Sequence, residues 1–213
     1  MTATSWTGKL RERTLEAVPA DQLLPDTQPA YVASWIYVFG VASLSALVVV
    51  VATGVVLTVG GLSWWHQSTL GHFVNSLHLW SVQLFFTFMV IHIWGKFWMA
   101  AWRGHRALTW ITGVVSFLVS MATALTGYLI QTNFESQWIS AEAKDGLNSV
   151  GAGAVMNVMD IGQMVLWHVA LLPLGVGVIV VAHIVLIRLR GVAPPIGFGV
   201  DGNALDQLKA DPR

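Results

Sequence analysis

The sequence contains no cysteine in its 213 residues. This absence excludes disulfide bonds, thiolate-bound zinc, iron–sulfur clusters ligated by this chain, and haem attached through thioethers. Charge is also scarce, since 10% of the residues are charged against roughly 25% in an average soluble domain. The net charge is zero, so bulk charge indicates no nucleic-acid partner. With 55% hydrophobic residues, an integral membrane protein is the first class to test.

Four long apolar segments hold most of these hydrophobic residues. They lie at about 31–59, 74–101, 108–130 and 161–187. Each exceeds the roughly 20 residues that a helix needs to cross a hydrocarbon core of about 30 Å. Their apolar residues do not alternate with polar ones, which favours helices over the strands of a barrel. We therefore predict an all-α integral membrane protein with four transmembrane helices.

The basic residues predict the orientation of these helices. Of the eleven lysines and arginines, all but Lys144 lie before the first segment, at the connection between the second and third (where Lys96 lies near the end of the second segment), or after the fourth. The positive-inside rule then places both termini in the cytoplasm. The predicted organisation is a cytoplasmic surface segment at 1–30, whose residues 5–18 form an amphipathic helix or a disordered tail, then a four-helix domain at 31–190. A cytoplasmic tail at 191–213 follows, as a loop or docking strand.

Histidines occur in pairs in two of the apolar segments, and buried ionisable residues in membrane helices indicate a function. His78 and His92 are fourteen residues apart, and His168 and His183 are fifteen apart. Such spacings return to within about 40° and 60° of the starting helix face and span about 21–23 Å. The second and fourth helices run in the same direction, so His78 would face His168 at an outer level and His92 would face His183 at an inner level. Opposed imidazoles at two levels suit axial ligation of two non-covalent haem groups.

Glycines repeat at the same spacing on the other two segments. Gly40 and Gly54 are fourteen residues apart, as are Gly113 and Gly127. Glycine lets a backbone approach a bulky partner, although small residues also serve ordinary packing between membrane helices. Because the spacing matches that of the histidines, we predict that the first and third helices close around the edges of the same two macrocycles.

These features resemble the N-terminal, four-helix half of cytochrome b in quinol–cytochrome c oxidoreductases, and most of all the short form found in cytochrome b6f complexes. The resemblance covers about 30–195. It includes the paired histidines and glycines together with "VATG" at 51–54, "LTWITGV" at 108–114 and "TGY" at 126–128.

The resemblance implies a dihaem subunit that carries electrons across the membrane between quinol and quinone sites of a Rieske/cytochrome b-type respiratory or photosynthetic complex. His78 and His168 would ligate a low-potential outer haem b, and His92 and His183 a high-potential inner one. The implied partners are a Rieske iron–sulfur protein, a second cytochrome b half that supplies later helices, and a cytochrome c or other acceptor in a dimeric complex. A bacterial cytoplasmic membrane is the expected location.

Two basic residues near the inner level, Lys96 and Arg106, are candidates to bind the propionates of the inner haem or an inner quinone. Anionic lipid is the alternative ligand for them.

The outer level departs from the family pattern. Asn75 and Leu79 stand where the family usually has basic or polar residues, and "QTNFESQW" at 131–138 replaces its Pro-Trp-Asp segment. These differences predict an altered outer quinol site. Three aromatic residues are candidates to line it: Tyr128, Phe134 and Trp138.

Two other functions stay open. The first is a dihaem cytochrome b anchor for a quinone-linked dehydrogenase, hydrogenase or reductase, in which the outer quinol site is atypical or absent. The second is a haem-free transporter or proton channel whose histidines form a relay. A reduced absorption spectrum separates the second from the haem proteins.

Overall fold

A computed structural model of the chain describes residues 5–17, 19, 23 and 27–195. Most of the predicted tail, 196–213, lies outside the described residues. All regular structure in the described ranges is helical. The α-helices are α1 (Trp6–Ala17), α2 (Val38–Gly60), α3 (Leu62–Gln67), α4 (Thr69–Trp98), α5 (Ala107–Leu129), α6 (Phe134–Ser149), α7 (Ile161–Leu166) and α8 (Leu172–Arg190).

Four spans of the described chain are long and apolar enough to cross a membrane. They are Trp35–Gly60, Thr69–Trp98, Gly104–Leu129 and Ile161–Arg190, called here the first to fourth membrane helices. The first and third begin with 3-10 turns that lead into α2 and α5, and the fourth joins α7 to α8 through a π turn. This confirms the predicted all-α membrane fold with four transmembrane helices.

The second membrane helix begins five residues before its predicted start at 74. Ser68 caps it, because the Ser68 side chain accepts a hydrogen bond of 2.8 Å from the backbone N–H of Gly71. The helix ends at Trp98, just before Ala100 takes a left-handed conformation with φ of 52°. The polar residues at the start of this helix reduce its hydropathy, so the apolar pattern begins later in the chain than the helix does.

The membrane helices pack as two pairs, the first against the second and the third against the fourth. In the first pair the buried contact is formed by Ala46, Phe85 and Met89. Small polar residues are buried along with it, and Ser43, for example, donates its hydroxyl to the carbonyl of Phe39 at 2.8 Å. Such self-bonded hydroxyls let helices approach closely without leaving a polar group unpaired in lipid.

Most of the apolar surface points outward. Val41, Val48 and Val55 of the first membrane helix recur every seven residues and are 67%, 61% and 58% exposed. Outward-facing valines in a membrane helix suit contact with lipid or with other membrane helices. Small polar side chains are instead buried inside the bundle, among them Thr53, Ser81 and Thr126.

A short strap closes the inner end, which is the end that carries His92 and His183. Its residues, 191–195, leave the fourth membrane helix at Gly191, where φ is 73°. The hydroxyl of Tyr37 donates to the Ala193 carbonyl at 2.8 Å, and that of Tyr31 donates to the Val192 carbonyl at 3.1 Å. The described part of the predicted tail is therefore a docked, non-helical segment.

We expect Tyr37→Phe to loosen this strap, because the buried Ala193 carbonyl loses its donor. The cost should be about 1 kcal/mol, which corresponds to roughly fivefold faster amide exchange across 191–195. Hydrogen–deuterium exchange in detergent measures this rate. Tyr128→Phe, which removes a hydroxyl from the opposite end, is the control and should leave exchange at 191–195 unchanged. Equal exchange in the wild type and Tyr37→Phe would contradict the role of this bond.

Candidate functional site

The outer histidines face each other across the bundle. The ring centroids of His78 and His168 are 6.3 Å apart, and the ring planes are inclined at 85°. A metal–imidazole bond is about 2.0–2.1 Å, and a ring nitrogen lies about 1.15 Å from the ring centre, so two rings on opposite sides of one metal have centroids about 6.3–6.5 Å apart. Both imidazoles are half-buried. This spacing fits a shared metal ion.

The inner histidines form the second pair. His92 lies within electrostatic range of both His183 and Lys96. Both rings are half-buried, as at the outer level. The outer rings therefore face each other at a measured centroid distance, and the inner rings lie within electrostatic range of each other.

A π turn accounts for the unequal spacings of fourteen and fifteen residues. It spans Trp167–Leu171 and contains His168, and the N–H of Leu172 closes it by bonding to the carbonyl of Trp167. A π turn holds one more residue than an α turn, so it absorbs the additional residue between His168 and His183. Pro173 follows in the first turn of α8, where its missing N–H is tolerated. The π turn therefore directly precedes Pro173.

Each of the four paired glycines lies against one of the four imidazoles. A Cβ on Gly40 would lie 3.0 Å from His92, and one on Gly54 would lie 3.3 Å from His78. On the third membrane helix, a Cβ on Gly113 would lie 3.0 Å from His183.

Gly127 is the most crowded of the four. A Cβ there would lie 2.8 Å from Nδ1 of His168 and 2.9 Å from its Nε2. The four glycines thus make room for the histidine rings, and their contact with the edges of a macrocycle stays a prediction.

A threonine hydroxyl orients His78. Thr53 Oγ1 lies 2.9 Å from Nδ1 of His78 and also 2.7 Å and 3.0 Å from the carbonyls of Val49 and Val50. A hydroxyl has one proton, and here a backbone carbonyl receives it, so Oγ1 accepts from Nδ1–H. The lone pair of the ring then sits on Nε2, the nitrogen left to bind a metal.

The other membrane-helix pair repeats this arrangement. Thr112 Oγ1 donates to the Thr109 carbonyl at 2.8 Å and lies 3.0 Å from Nδ1 of His183. Nδ1 of His168 lies 2.9 Å from the Thr123 carbonyl and 3.5 Å from the hydroxyl of Thr126. In both cases the acceptor next to Nδ1 leaves the lone pair of the ring on Nε2.

His92 is the exception. Its Nδ1 is buried and has no hydrogen-bond partner among the described residues. The residue before its glycine is Phe39, whereas threonine precedes Gly54, Gly113 and Gly127. Sequence reasoning missed the threonines, although the repeated Thr-Gly pair was visible.

Two tyrosines lie between Lys96 and Arg106 at the inner end: Tyr37 contacts Lys96, and Tyr31 is close enough to Arg106 to be influenced by its charge. Lys96 Nζ lies 3.7 Å from the ring centroid of Tyr37 and 3.6 Å from Met99 Sδ. The rings of Tyr31 and Tyr37 are 5.9 Å apart. Burial raises the pKa of Tyr31 above its ordinary value, and the charge of Arg106 partly opposes this. The Nε atom of Arg106 is buried without a partner in the described chain, which suits an anion at this end.

The three outer aromatic candidates line one groove. It has a volume of about 440 Å³ and is lined by Tyr128, Phe134, Glu135, Trp138 and Ile139. The Tyr128 hydroxyl donates to Glu135 Oε2 at 3.2 Å. Asn133 caps α6 here by accepting from the Ser136 N–H at 2.8 Å. Glu135 was absent from the sequence candidates because nothing in the linear sequence pairs it with Tyr128.

Known proteins share this architecture. A family model described as "Cytochrome b(N-terminal)/b6/petB" matches residues 83–204, a range that contains His92, His168 and His183. The cytochrome b6 of Heliomicrobium gestii is 28% identical over 142 residues, which cover 62% of this chain and 67% of that protein. The cytochrome bc complex cytochrome b subunit of Chlorobaculum thiosulfatiphilum is 27% identical over 200 residues, which cover 84% of this chain and 46% of that subunit.

One solved structure shows the same fold. A chain of "Hyperthermophilic respiratory Complex III" superposes with a TM-score of 0.70 at 20% sequence identity, over 91% of this chain and 56% of that chain. The present protein therefore spans about half the length of the Complex III chain and about half the length of the Chlorobaculum subunit.

Substitution of the crowded glycine should destabilise the bundle. In Gly127→Ala the new methyl group overlaps the His168 ring, and overpacking of this kind costs about 1–3 kcal/mol. Gly175→Ala in the fourth membrane helix is the control, since nothing lies within 4 Å of a Cβ there. The thermal midpoint of the purified protein in detergent should fall in Gly127→Ala and stay level or rise in Gly175→Ala. A midpoint unchanged in both would contradict the packing described.

Proposed function

Because the chain belongs to the cytochrome b (N-terminal)/b6 family, we propose that it is the dihaem, N-terminal cytochrome b half of a Rieske/cytochrome b-type quinol oxidoreductase complex. The family membership implies that the protein binds haem and takes part in electron transport. The finer proposal of two haems at stated residues is supported chiefly by the facing of His78 and His168, whose centroids are 6.3 Å apart.

The four histidines would hold the two haems, His78 with His168 at the outer level and His92 with His183 at the inner level. When bound, haem iron supplies one-electron redox chemistry. The chain contributes the ligand nitrogens, the low-dielectric surroundings and the hydrogen bonds that orient the rings. All four rings are half-buried, and each would bind iron through the lone pair of a ring nitrogen, which lies in the plane of the ring.

The glycines would let the first and third membrane helices approach the ligand rings. Gly40, Gly54, Gly113 and Gly127 each lie opposite one imidazole. A larger residue would displace the ring and with it the ligand atom. Each metal site would thus take one histidine from each helix pair. In each pair, the helix that carries the glycine lies behind the helix that carries the histidine.

At the inner end, Lys96 and Arg106 would neutralise anionic groups of the inner haem or of a quinone. The partnerless Nε of Arg106 supports an anion there, because a buried guanidinium donor normally has an acceptor. The same two cations also suit the headgroup of an anionic lipid. The group that they would bind is therefore an anion such as a carboxylate or a phosphate.

The outer groove lined by Tyr128, Phe134 and Trp138 is the site that we assign to a quinol. Its aromatic walls suit a flat apolar ring, and the Tyr128–Glu135 pair supplies polar atoms for a ring hydroxyl. Later helices of the family would come from a second cytochrome b half. Of the two electrons released by the quinol, one would pass to the haems and the other to a Rieske protein outside the membrane. The Rieske protein would pass its electron to a cytochrome c or another acceptor, and the whole complex would be dimeric.

The domain organisation belongs to the same proposal. Residues 31–190 form the dihaem domain, with the surface segment 1–30 and the tail 191–213 on the cytoplasmic side of a bacterial membrane. The outer level then faces away from the cytoplasm. The positive-inside distribution of lysine and arginine supports this orientation.

A dihaem anchor for a quinone-linked dehydrogenase, hydrogenase or reductase is the second candidate. The segment 131–138 favours it, because its α6 residues and the Tyr128–Glu135 bond stand where the family has Pro-Trp-Asp. Such an anchor would have an outer quinol site that is atypical or absent. The glycines opposite all four histidines favour the first candidate.

Replacement of single histidines tests the ligand assignment. His78→Ala and His168→Ala should each remove the outer haem and keep the inner one, and His92→Ala and His183→Ala should do the reverse. A redox titration followed by absorption at the b-type band counts the remaining haems. His72→Ala, on the same helix as His78 but exposed, is the control and should keep both. A His78→Ala protein that retained two titrating haems would refute the assignment.

Subunit identification separates the two candidate functions. After gentle detergent extraction and affinity purification, mass spectrometry should find an iron–sulfur subunit of Rieske type and a second membrane subunit with the later cytochrome b helices. A large catalytic dehydrogenase or hydrogenase subunit in their place would favour the anchor.

A further inference from the structure

Three of the four proposed ligand rings have an acceptor at Nδ1, and the fourth has none. Thr53 and Thr112 place hydroxyls at 2.9 Å and 3.0 Å from the Nδ1 atoms of His78 and His183. The Thr123 carbonyl lies 2.9 Å from Nδ1 of His168. The outer level therefore has two oriented ligands and the inner level has one.

We propose that these Nδ1 acceptors set the difference in redox potential between the two haem sites, and that Thr53 and Thr112 act as positioning residues through their hydroxyls. This inference rests on the proposed dihaem function. An acceptor at Nδ1–H makes the imidazole a more basic ligand. A more basic ligand stabilises the oxidised, more highly charged iron and lowers its potential.

The contacts are not a general consequence of threonine in a membrane helix. Thr58 and Thr87 also donate their hydroxyls to the backbone four residues earlier, at 2.8 Å in each case, and both are exposed with no contact to a histidine. Thr53 and Thr112 instead each precede a glycine that faces a ligand ring. The glycine brings the helix close enough for the neighbouring hydroxyl to reach Nδ1.

The inner level lacks this contact for one identifiable reason. Phe39 precedes Gly40 just as Thr53 precedes Gly54, fourteen residues further along the same helix. A Cβ on Gly40 would lie 3.2 Å from Nδ1 of His92, so the backbone approach is as close as at the other positions. The phenyl ring packs against Trp35 and Phe88 and offers no acceptor. Hence the site between His92 and His183 should have the higher potential.

A loss experiment and a gain experiment test this in the full-length, haem-loaded protein. In the loss experiment, Thr53→Val should raise the midpoint potential of the outer haem and leave the inner one unchanged, while Thr112→Val should raise only the inner one. Thr53→Ser, which keeps the hydroxyl, should stay near the wild type. Thr58→Val is the matched control on the same helix and should move neither potential.

In the gain experiment, Phe39→Thr should lower the potential of the inner haem relative to Phe39→Val. Both variants remove the phenyl ring, and only one adds a hydroxyl, so the comparison isolates the new acceptor. Spectroelectrochemical titration at the b-type band measures every potential.

The inference is overturned if Thr53→Val and Thr112→Val leave the potentials of their own haems at the wild-type values. It is also overturned if Thr53→Ser shifts the potential of the outer haem as far as Thr53→Val does. Equal potentials of the inner haem in Phe39→Thr and Phe39→Val would overturn it as well. Loss of the outer haem from Thr53→Val but not from Thr53→Ser would also assign the effect to the hydroxyl, and its loss from both would overturn that role. A wild-type protein without two haems would instead refute the proposed function, so the two failures are distinguishable.

Discussion

The bundle is organised around pairs of imidazoles that come from different helices and face each other inside apolar surroundings. An unpaired polar ring is costly there, and three of the four rings have a neighbour that accepts a hydrogen bond from Nδ1. His78 shows how this is done: a glycine behind the ring provides room, a threonine hydroxyl accepts from Nδ1, and the ring centroid lies 6.3 Å from that of His168. Helix pairing, small residues and the π turn all follow from holding such rings in place.

Each helix has a distinct part in this arrangement. The second and fourth membrane helices carry the rings, and the first and third supply the glycine and its preceding residue as a backing surface. Because a backing helix must come close, its contact residues are small and its hydroxyls bond to its own backbone, as at Thr53 and Thr112. The outward-facing valines leave the remaining surface apolar. A substitution in the first or third membrane helix can therefore shift an imidazole ring without replacing the histidine itself.

Much of this could be predicted from the sequence, because the strongest signals were periodic. Long apolar runs identified the four membrane helices, and the repeated intervals between His78 and His92 and between Gly40 and Gly54 predicted two levels. The start of the second helix was misplaced because a cap at Ser68 is a hydrogen bond, not a hydropathy signal. The π turn at His168 could not be predicted either, since a local change in hydrogen bonding leaves no mark in composition. The Tyr128–Glu135 contact joins side chains across a turn, and only the fold brings them together.

The central claim is that two opposed imidazole pairs each hold one haem. The most direct test is the number of haem b groups per polypeptide in the purified wild-type protein, measured by pyridine haemochrome absorbance against the protein concentration from amino-acid analysis. The account predicts two. A protein that holds one haem or none, after purification with added haem, would contradict it.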